Sequence, residues 1–125
     1  MTEFPRIHHA SVVVADSRRA LRFYVDILGM QLDPSRPDLG FPGAWLWVGD
    51  QQIHLLEVAN PDTAEGRPAH VGRDRHTALQ VRGLDGLQHR LETANIPYSR
   101  SRSGRKAIFC RDPDGNGIEL VEAVS

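Results

Sequence analysis

The sequence has a single cysteine, a single lysine and no long apolar run. One cysteine, Cys110, excludes an internal disulfide framework and is typical of a reducing, cytoplasmic setting. A membrane-spanning helix needs about 20 consecutive apolar residues, and no run approaches that length. The first residues also lack the basic-then-apolar order of a secretory signal peptide. We therefore expect a cytoplasmic protein with no membrane partner.

Neither sign of charge is in excess. Lys and Arg number 15 against 16 Asp and Glu, so the formal net charge is −1. Because nucleic-acid-binding domains are usually basic, we expect no nucleic-acid partner. One segment, residues 100–111, is nevertheless rich in Arg. It is either a solvated loop or a contact for an anionic small substrate, since guanidinium groups bind carboxylates and phosphates well. On the second interpretation, Arg102 and Arg105 are substrate-binding candidates.

The 125 residues suffice for one domain, and they divide into two similar halves. Residues 7–14 and 74–81 are short β-branched or alternating runs, which predict strands. Each is followed by apolar residues at helical spacing, over 17–28 and 85–94. Asp16 is the expected N-cap of the first helix and Gly29 its expected stop, while Asn95 is the expected stop of the second.

Three short strands are predicted after each helix. They cover residues 30–32, 44–48 and 52–58 in the first half, and 98–100, 107–110 and 117–123 in the second. The pattern gives an α+β fold of two βαβββ modules, the first over about 6–59 and the second over about 75–124. Residues 60–74 form a linker, which could also lie over a site as a lid.

Four side chains could converge on one metal ion. His9 and His76 open equivalent strands of the two halves, and His54 and Glu119 lie on equivalent final strands. If the halves curve around a pseudo-twofold axis, these positions can meet in a shared concavity. Imidazole nitrogen and carboxylate oxygen suit Zn, Ni, Co, Mn or Fe(II), so we expect one divalent metal ion per site.

Four aromatic residues are candidates for the walls of a substrate pocket. Trp45 and Trp47 share one face of a strand, so both line the concavity or both pack against the helices. Phe41 is the third candidate and Phe109 the fourth. Cys110, next to it, is expected to be a small buried residue with no catalytic role.

The chain resembles the vicinal oxygen chelate superfamily, which comprises glyoxalases, bleomycin resistance proteins and extradiol dioxygenases. The resemblance covers about residues 6–124. It is carried by Ile-His-His-Ala at 7–10, Ala-Leu-Arg-Phe-Tyr-Val-Asp-Ile-Leu-Gly-Met at 20–30, His76, and Phe-Cys-Arg-Asp-Pro-Asp-Gly-Asn-Gly-Ile-Glu-Leu at 109–120.

The resemblance implies a curved, cup-shaped mixed sheet with helices outside and a divalent metal inside. It maps the metal ligands onto His9, His76 and Glu119, with His54 at the remaining position. Glyoxalase-like lyases usually have Glu at that position and related epimerases often have Gln, so His54 is a departure from the family pattern. The resemblance also implies a homodimer, and the sequence does not show whether a site lies within one chain or between two.

Three functions follow from the resemblance. The first is a metal-dependent lyase or isomerase, similar to lactoylglutathione lyase, that acts on a small oxygenated metabolite or thiol adduct through a metal-chelated enediolate. Glu119 or His54 would then be the catalytic base. The second is a small Fe(II) dioxygenase of the extradiol type. The third is a metal-free protein that binds a drug or metabolite, as bleomycin resistance proteins do.

Overall fold

A computed structural model describes residues 1–124, and it contains the predicted repeat of strand, helix and three strands. The first module comprises β1 (His9–Val14), helix α1 (α-helical over Ser17–Leu21 and π-helical over Arg22–Ile27), β2 (Gln31–Asp33), β3 (Gly43–Val48) and β4 (Gln51–Glu57). The second comprises β5 (His76–Val81), α2 (Leu84–Thr93), β6 (Ser99–Arg100), β7 (Ala107–Arg111) and β8 (Gly117–Glu122). A short 3-10 turn, Val71–Arg73, precedes the second module.

The two modules have the same sheet topology. The strand order is β1-β4-β3-β2 in one sheet and β5-β8-β7-β6 in the other. The first strand of each module runs parallel to the last, and the remaining pairs are antiparallel. These two mixed sheets confirm the predicted α+β class and the internal repeat.

The helix boundaries follow from local chemistry. The Asp16 carboxylate accepts hydrogen bonds from the backbone N–H groups of Arg18 and Arg19, as an N-cap does. Gly29 ends the first helix at φ +85°, a conformation that L side chains rarely adopt. Asn95 ends the second helix at φ +57°, which asparagine tolerates better than most residues. All three predicted boundary residues are therefore confirmed.

One hydrophobic core joins both modules on the helical side of the sheets. It includes Val14, Leu46 and Leu55 from the first sheet and Leu120 from the second, with Leu91 of α2. Cys110 belongs to the same core and is 2% exposed, as expected. Alternation along each strand then places the neighbouring residues on the opposite face, which we call the open face.

The turn after β7 connects the modules through polar contacts. The buried Tyr24 hydroxyl donates to Asp112 Oδ2 at 2.7 Å. Asn116 Nδ2 donates to the Val13 carbonyl at 2.9 Å, and the backbone N–H of Ala15 donates to Asp114 Oδ1 at 3.0 Å. The Asp-Pro-Asp-Gly-Asn motif therefore holds the end of β1 and the first helix against the second module.

Among residues 1–124, no helix is both long and apolar enough to cross a bilayer.

Candidate metal centre

His76 and Glu119 form a pair on the open face of the second sheet. β5 lies beside β8, and Ala78 is the residue opposite Glu119 in the register. The Nε2 atom of His76 is 3.3 Å from Oε1 of Glu119. The Glu119 side chain is only 5% exposed, so its charge requires a cationic or hydrogen-bonding partner.

The hydrogen bond of His76 determines which of its nitrogens is free. Its Nδ1 lies 2.8 Å from the carbonyl oxygen of Asp74, which can only accept, so Nδ1 carries the proton. In the neutral ring, Nε2 then presents a lone pair towards the Glu119 carboxylate. Two acceptors this close repel each other unless a proton or a metal ion lies between them. A divalent metal ion fits this donor pair, and a backbone carbonyl behind a ligating histidine is a common support.

An aromatic ring and a guanidinium group enclose the pair. Phe109 packs edge-on against His76, with ring centroids 5.5 Å apart, and against His70 at 5.1 Å. Arg105 Nη2 lies 3.3 Å from Oε2 of Glu119, while 62% of the Arg105 side chain is exposed. Phe109 therefore packs against one side of the His76–Glu119 pair. Arg105 places a positive charge where the pair faces solvent.

Two arginines anchor the residue that supports His76. Arg67 Nε and Arg111 Nη1 donate to Asp74 Oδ2 at 2.7 and 2.8 Å. Hydrogen bonds from Arg111 and then Arg67 lower the pKa of Asp74 to about 2. Arg111 also donates to the carbonyls of Pro68 and Gly115. Arg111 therefore ties the linker to the second sheet and does not belong to a solvated basic loop.

The first module contributes a stack of three rings. His54 lies between His9 and Trp45, with centroid separations of 4.1 and 4.7 Å and interplanar angles of 19° and 13°. Trp45 is thus on the open face beside a predicted site residue and outside the hydrophobic core. Trp47 lies on the same face and is 38% exposed.

A hydrogen-bonded chain holds the central ring of that stack. The Nε2 atom of His54 lies 2.8 Å from Gln52 Oε1, and Gln52 Nε2 donates to Asp33 Oδ2 at 2.8 Å. Asp33 is 7% exposed and also accepts two hydrogen bonds from Ser35. Burial and then the neighbouring His9 imidazole lower the pKa of His54, which favours its neutral form.

The structure thus brings the four proposed ligands together as two pairs. Within residues 1–124, no three His, Cys, Asp or Glu side chains are arranged to hold a metal ion. His9 and His54 lie in one pair, and His76 and Glu119 in the other. Convergence of all four on one ion stays a prediction. Arg102 is exposed, so its substrate contact stays a prediction too.

Three residues of this region were not among the sequence candidates. Gln52 lies two residues before His54 on one strand, so strand alternation alone could have placed it on the same face. Asp74 lies two residues before His76, but its role depends on a backbone carbonyl and on arginines distant in sequence. Asp33 reaches Gln52 only through the register of β2, β3 and β4, which single-sequence patterns do not show.

Comparison with known proteins identifies the family. The sequence pattern of the Glyoxalase/Bleomycin resistance protein/Dioxygenase superfamily matches residues 6–120. The chain belongs to this superfamily.

Three curated relatives have similar sequences. An Arabidopsis thaliana protein named Glyoxylase I 4 is 31% identical over 95% of this chain and 71% of its own length. Escherichia coli YaeR is 29% identical over 98% of this chain and 99% of its own length. A Bacillus subtilis protein named as a ring-cleaving dioxygenase, MhqA, is 30% identical over 92% of this chain but only 39% of its own length.

Solved structures share the fold. A glyoxalase family protein from Bacillus anthracis superposes with a TM-score of 0.80, at 25% identity and 99% coverage of both chains. The fosfomycin resistance protein FosX from Listeria monocytogenes, in a complex with Mn(II) and a dihydroxypropylphosphonic acid, gives a TM-score of 0.74 at 18% identity, over 98% of this chain and 95% of that one. These superpositions confirm the glyoxalase-like fold.

Proposed function

We propose that the protein is a metal-dependent lyase or isomerase that acts on a small oxygenated metabolite or thiol adduct. The observation that carries this proposal is the His76–Glu119 pair, in which the imidazole Nε2 atom lies 3.3 Å from an oxygen of a buried carboxylate while Nδ1 is held by the carbonyl of Asp74. The relative named Glyoxylase I 4 supports the reaction class.

The metal ligands are His76 and Glu119 together with His9, and His54 occupies the fourth family position. When bound, a divalent ion in such a site acts as a Lewis acid that stabilises negative charge on substrate oxygens. The donor set suits Zn, Ni, Co, Mn or Fe(II). The Mn(II) complex of FosX supports a divalent ion in this fold.

Residues around the His76–Glu119 pair supply the catalytic base and the surface that binds substrate. Glu119 is the first candidate for the base that removes a proton from the carbon next to a substrate carbonyl, and His54 is the second. Phe109 and Trp45 provide apolar surface for the substrate, and Trp47 extends that surface. Excluding water from such a site strengthens its electrostatic interactions.

A negatively charged group on the substrate explains Arg105. Its guanidinium contacts the Glu119 carboxylate at 3.3 Å yet remains 62% exposed, so it can also bind an anion from solvent. Arg102, in the same exposed loop, is a second contact for that anion. Arg105 therefore has two roles: it neutralises Glu119 in the empty site and binds substrate in the loaded one.

A twofold homodimer completes the site in this proposal. Each chain holds two ligand pairs, one on each module, and no three ligands gather within residues 1–124. If the first module of one copy faces the second module of another, His9 meets His76 and Glu119 across the interface. A closed twofold arrangement makes two equivalent sites in this way.

Metal stoichiometry tests the proposal. Protein purified without a histidine tag or chelator is analysed by elemental mass spectrometry, and the metal-free form is titrated with Zn²⁺. We expect close to one ion per chain, lost in His76→Ala and Glu119→Gln. Glu92→Gln is the matched control, because Glu92 is an exposed carboxylate on α2 that should not affect uptake. Absence of metal together with chelator-insensitive binding of a drug or metabolite would instead indicate a binding protein.

A dioxygenase is the second candidate function. It is favoured by the similarity to MhqA and by a ligand set of His9, His76 and Glu119, since two histidines and one carboxylate typically hold Fe(II) in non-haem oxygenases. Iron in the purified protein and Fe(II)-dependent oxygen uptake with a catechol would support it. Bound Zn, Ni, Co or Mn without oxygen uptake would favour the lyase or isomerase.

A further inference from the structure

An open cleft of about 540 Å³ lies at the edge of the second sheet, beside the first residue of β6. Sites for small molecules typically measure about 300–1,000 Å³, so this cleft can hold a ring system. Of the described residues, His76, Glu119 and Arg105 line no part of it, which separates it from the candidate metal centre. We call it the β6 cleft, and its apolar lining comprises Phe23, Val71, Ile96, Pro97, Phe109 and Pro113.

The β6 cleft opens because β6 begins too late to cover the end of β7. The two strands pair only through Ser99 and Arg100, and Ser99 lies opposite Phe109. Two residues before Ser99, Pro97 is the residue that would face Arg111. Proline has no backbone N–H, and no backbone hydrogen bond joins Pro97 to Arg111. The last residue of β7 therefore has an unpaired edge along the cleft.

The backbone N–H and carbonyl groups of Arg111 point towards that edge. Alternate residues of an antiparallel strand direct these groups to opposite neighbouring strands. Ala107 faces the β6 side, because its carbonyl accepts from the Ser101 N–H at 2.9 Å. Asp112 faces the β8 side, because its N–H donates to the Asn116 carbonyl at 3.0 Å. Arg111, an even step from Ala107 and next to Asp112, thus presents one donor and one acceptor to the β6 cleft.

The two charged side chains that line the cleft already have partners within the chain. Asp112 is 5% exposed and accepts four hydrogen bonds, one from the Tyr24 hydroxyl and three from groups of its own turn. Arg111 donates to Asp74 Oδ2 and to two backbone carbonyls. A charged ligand would lose hydration here without gaining a counter-charge, so the β6 cleft favours a neutral one.

We propose that the β6 cleft binds a neutral, largely apolar small molecule that carries an amide group. The apolar part of this molecule packs on Phe109 and Val71, and its amide pairs with the backbone of Arg111. An amide offers a donor and an acceptor, as the Arg111 backbone does, and a strand edge recognises amide groups through such main-chain hydrogen bonds. Phe109 is the wall that the cleft shares with the candidate metal centre, because its ring centroid lies 5.5 Å from that of His76.

Titration of the whole chain with benzamide, followed by proton–nitrogen NMR of the backbone amides, tests the proposal. Benzamide joins an apolar ring to a neutral amide. We expect saturable shifts of the Arg111 and Ser99 resonances, with a dissociation constant on the order of 1 mM for a ligand of this size. Benzoate has the same shape but a charged carboxylate, so it should bind about tenfold more weakly or not detectably.

Bulky substitutions in the lining should block the β6 cleft. Ala69→Trp and Ser99→Phe each add a large side chain at a residue that lines it, so benzamide should no longer shift the Arg111 resonance. Ala64→Trp is the matched control, because Ala64 is an exposed residue of the same linker outside the lining. Unchanged spectra of the first module in each variant exclude misfolding as the cause.

Pro97→Ala tests the pairing with Arg111. The new backbone N–H can donate to the Arg111 carbonyl, so β6 extends and competes with the amide of the ligand for that acceptor. Benzamide binding should weaken by about three- to tenfold, the effect of one hydrogen bond. Pro113→Ala, which removes a proline ring from the same lining but adds no donor opposite Arg111, should have the smaller effect. Equal affinities of the two variants would show that the Arg111 backbone does not bind the amide, and would overturn the proposal.

Other results would overturn it as well. One is the absence of any saturable shift of the Arg111 and Ser99 resonances with benzamide. Another is equal affinity for benzoate, or unchanged benzamide binding in both Ala69→Trp and Ser99→Phe. If the resonances of the cleft shift on dilution of the protein but not with benzamide, a second copy of the chain covers the cleft and the proposal is wrong.

Discussion

The carbonyl oxygen of Asp74 lies 2.8 Å from Nδ1 of His76, so one residue both orients the imidazole and anchors the linker before it. The Asp74 carboxylate does the anchoring, through Arg67 and Arg111. A backbone acceptor is insensitive to pH, but the carboxylate that keeps it in place is not.

Asp74→Asn should destabilise the protein in a pH-dependent way. The pKa of Asp74 is about 2 in the folded chain, below its ordinary value, so the stabilising effect is fully present above about pH 4. It is lost as the pH falls towards 2, because the folded state then takes up the proton that the unfolded state already holds. Urea unfolding of both proteins between pH 7 and 2 should therefore show free energies that converge at low pH.

Asp62→Asn is the matched control for that series. Asp62 pairs with Arg75 at 2.9 Å, but both side chains are more than half exposed. Exposed pairs contribute little to stability, so this variant should stay close to wild type. If the free energies of unfolding of wild type and Asp74→Asn differ by the same amount at every pH, the ionised Asp74 carboxylate does not stabilise the fold as described.

Tyr24→Phe should weaken the junction between the modules. The substitution removes a buried hydrogen bond from the hydroxyl to Asp112 and leaves that carboxylate with one donor fewer. Hydrogen bonds to charged groups contribute about 1.5–3 kcal/mol, which is the expected loss in the free energy of unfolding. Tyr98→Phe removes an exposed bond to Glu92 and a longer one, 3.2 Å, accepted from Gln88, and should cost less, about 1 kcal/mol. Equal losses in the two variants would argue against a structural role for the junction.

The fold could be predicted largely from the sequence, because its signals are local. Helices begin or end through local backbone and side-chain chemistry at Asp16, Gly29 and Asn95. Alternation along the strands separates the core residues from those on the open face. Leu46 and Leu55 are buried as that alternation requires. The hydrophobic pattern and the family resemblance predict the same fold because both reflect the repeated βαβββ module.

The site could be predicted only in part. His76 and Glu119 do lie together, as their strand positions indicated, but His9 and His54 form a separate stack within the chain. The arrangement of modules, and of one copy against another, depends on long-range packing that no local pattern encodes. The buried chain through Asp33 depends on sheet register for the same reason.

Cys110 should be unreactive in the folded protein. Burial raises its pKa to about 12, so the thiolate that attacks alkylating reagents is scarce near neutral pH. We expect iodoacetamide at about pH 8 to label Cys110 only at the rate of global unfolding, and labelling to become fast in urea. Native labelling at the rate of a free thiol would show that β7 does not pack as described.

Arg105→Ala should tighten metal binding in the absence of substrate. Its guanidinium contacts the Glu119 carboxylate, so an incoming cation must compete with it. Removing a solvent-screened unit charge in such contact corresponds to about 1 kcal/mol, or roughly three- to tenfold in the zinc dissociation constant. Arg102→Ala, in the same loop, should change affinity much less. Weaker zinc binding in Arg105→Ala would contradict this assignment.

Metal uptake by a mixture of two variants tests whether the metal site is shared between copies of the chain. His9→Ala disables the first module and Glu119→Gln disables the second, so each protein alone should bind no ion. If sites lie between copies, refolding the two variants together restores metal in about a quarter of all sites, as random twofold pairing requires. If mass spectrometry of the mixture finds no more metal than in either variant alone, the site is not shared between copies and the proposed intersubunit metal centre is wrong.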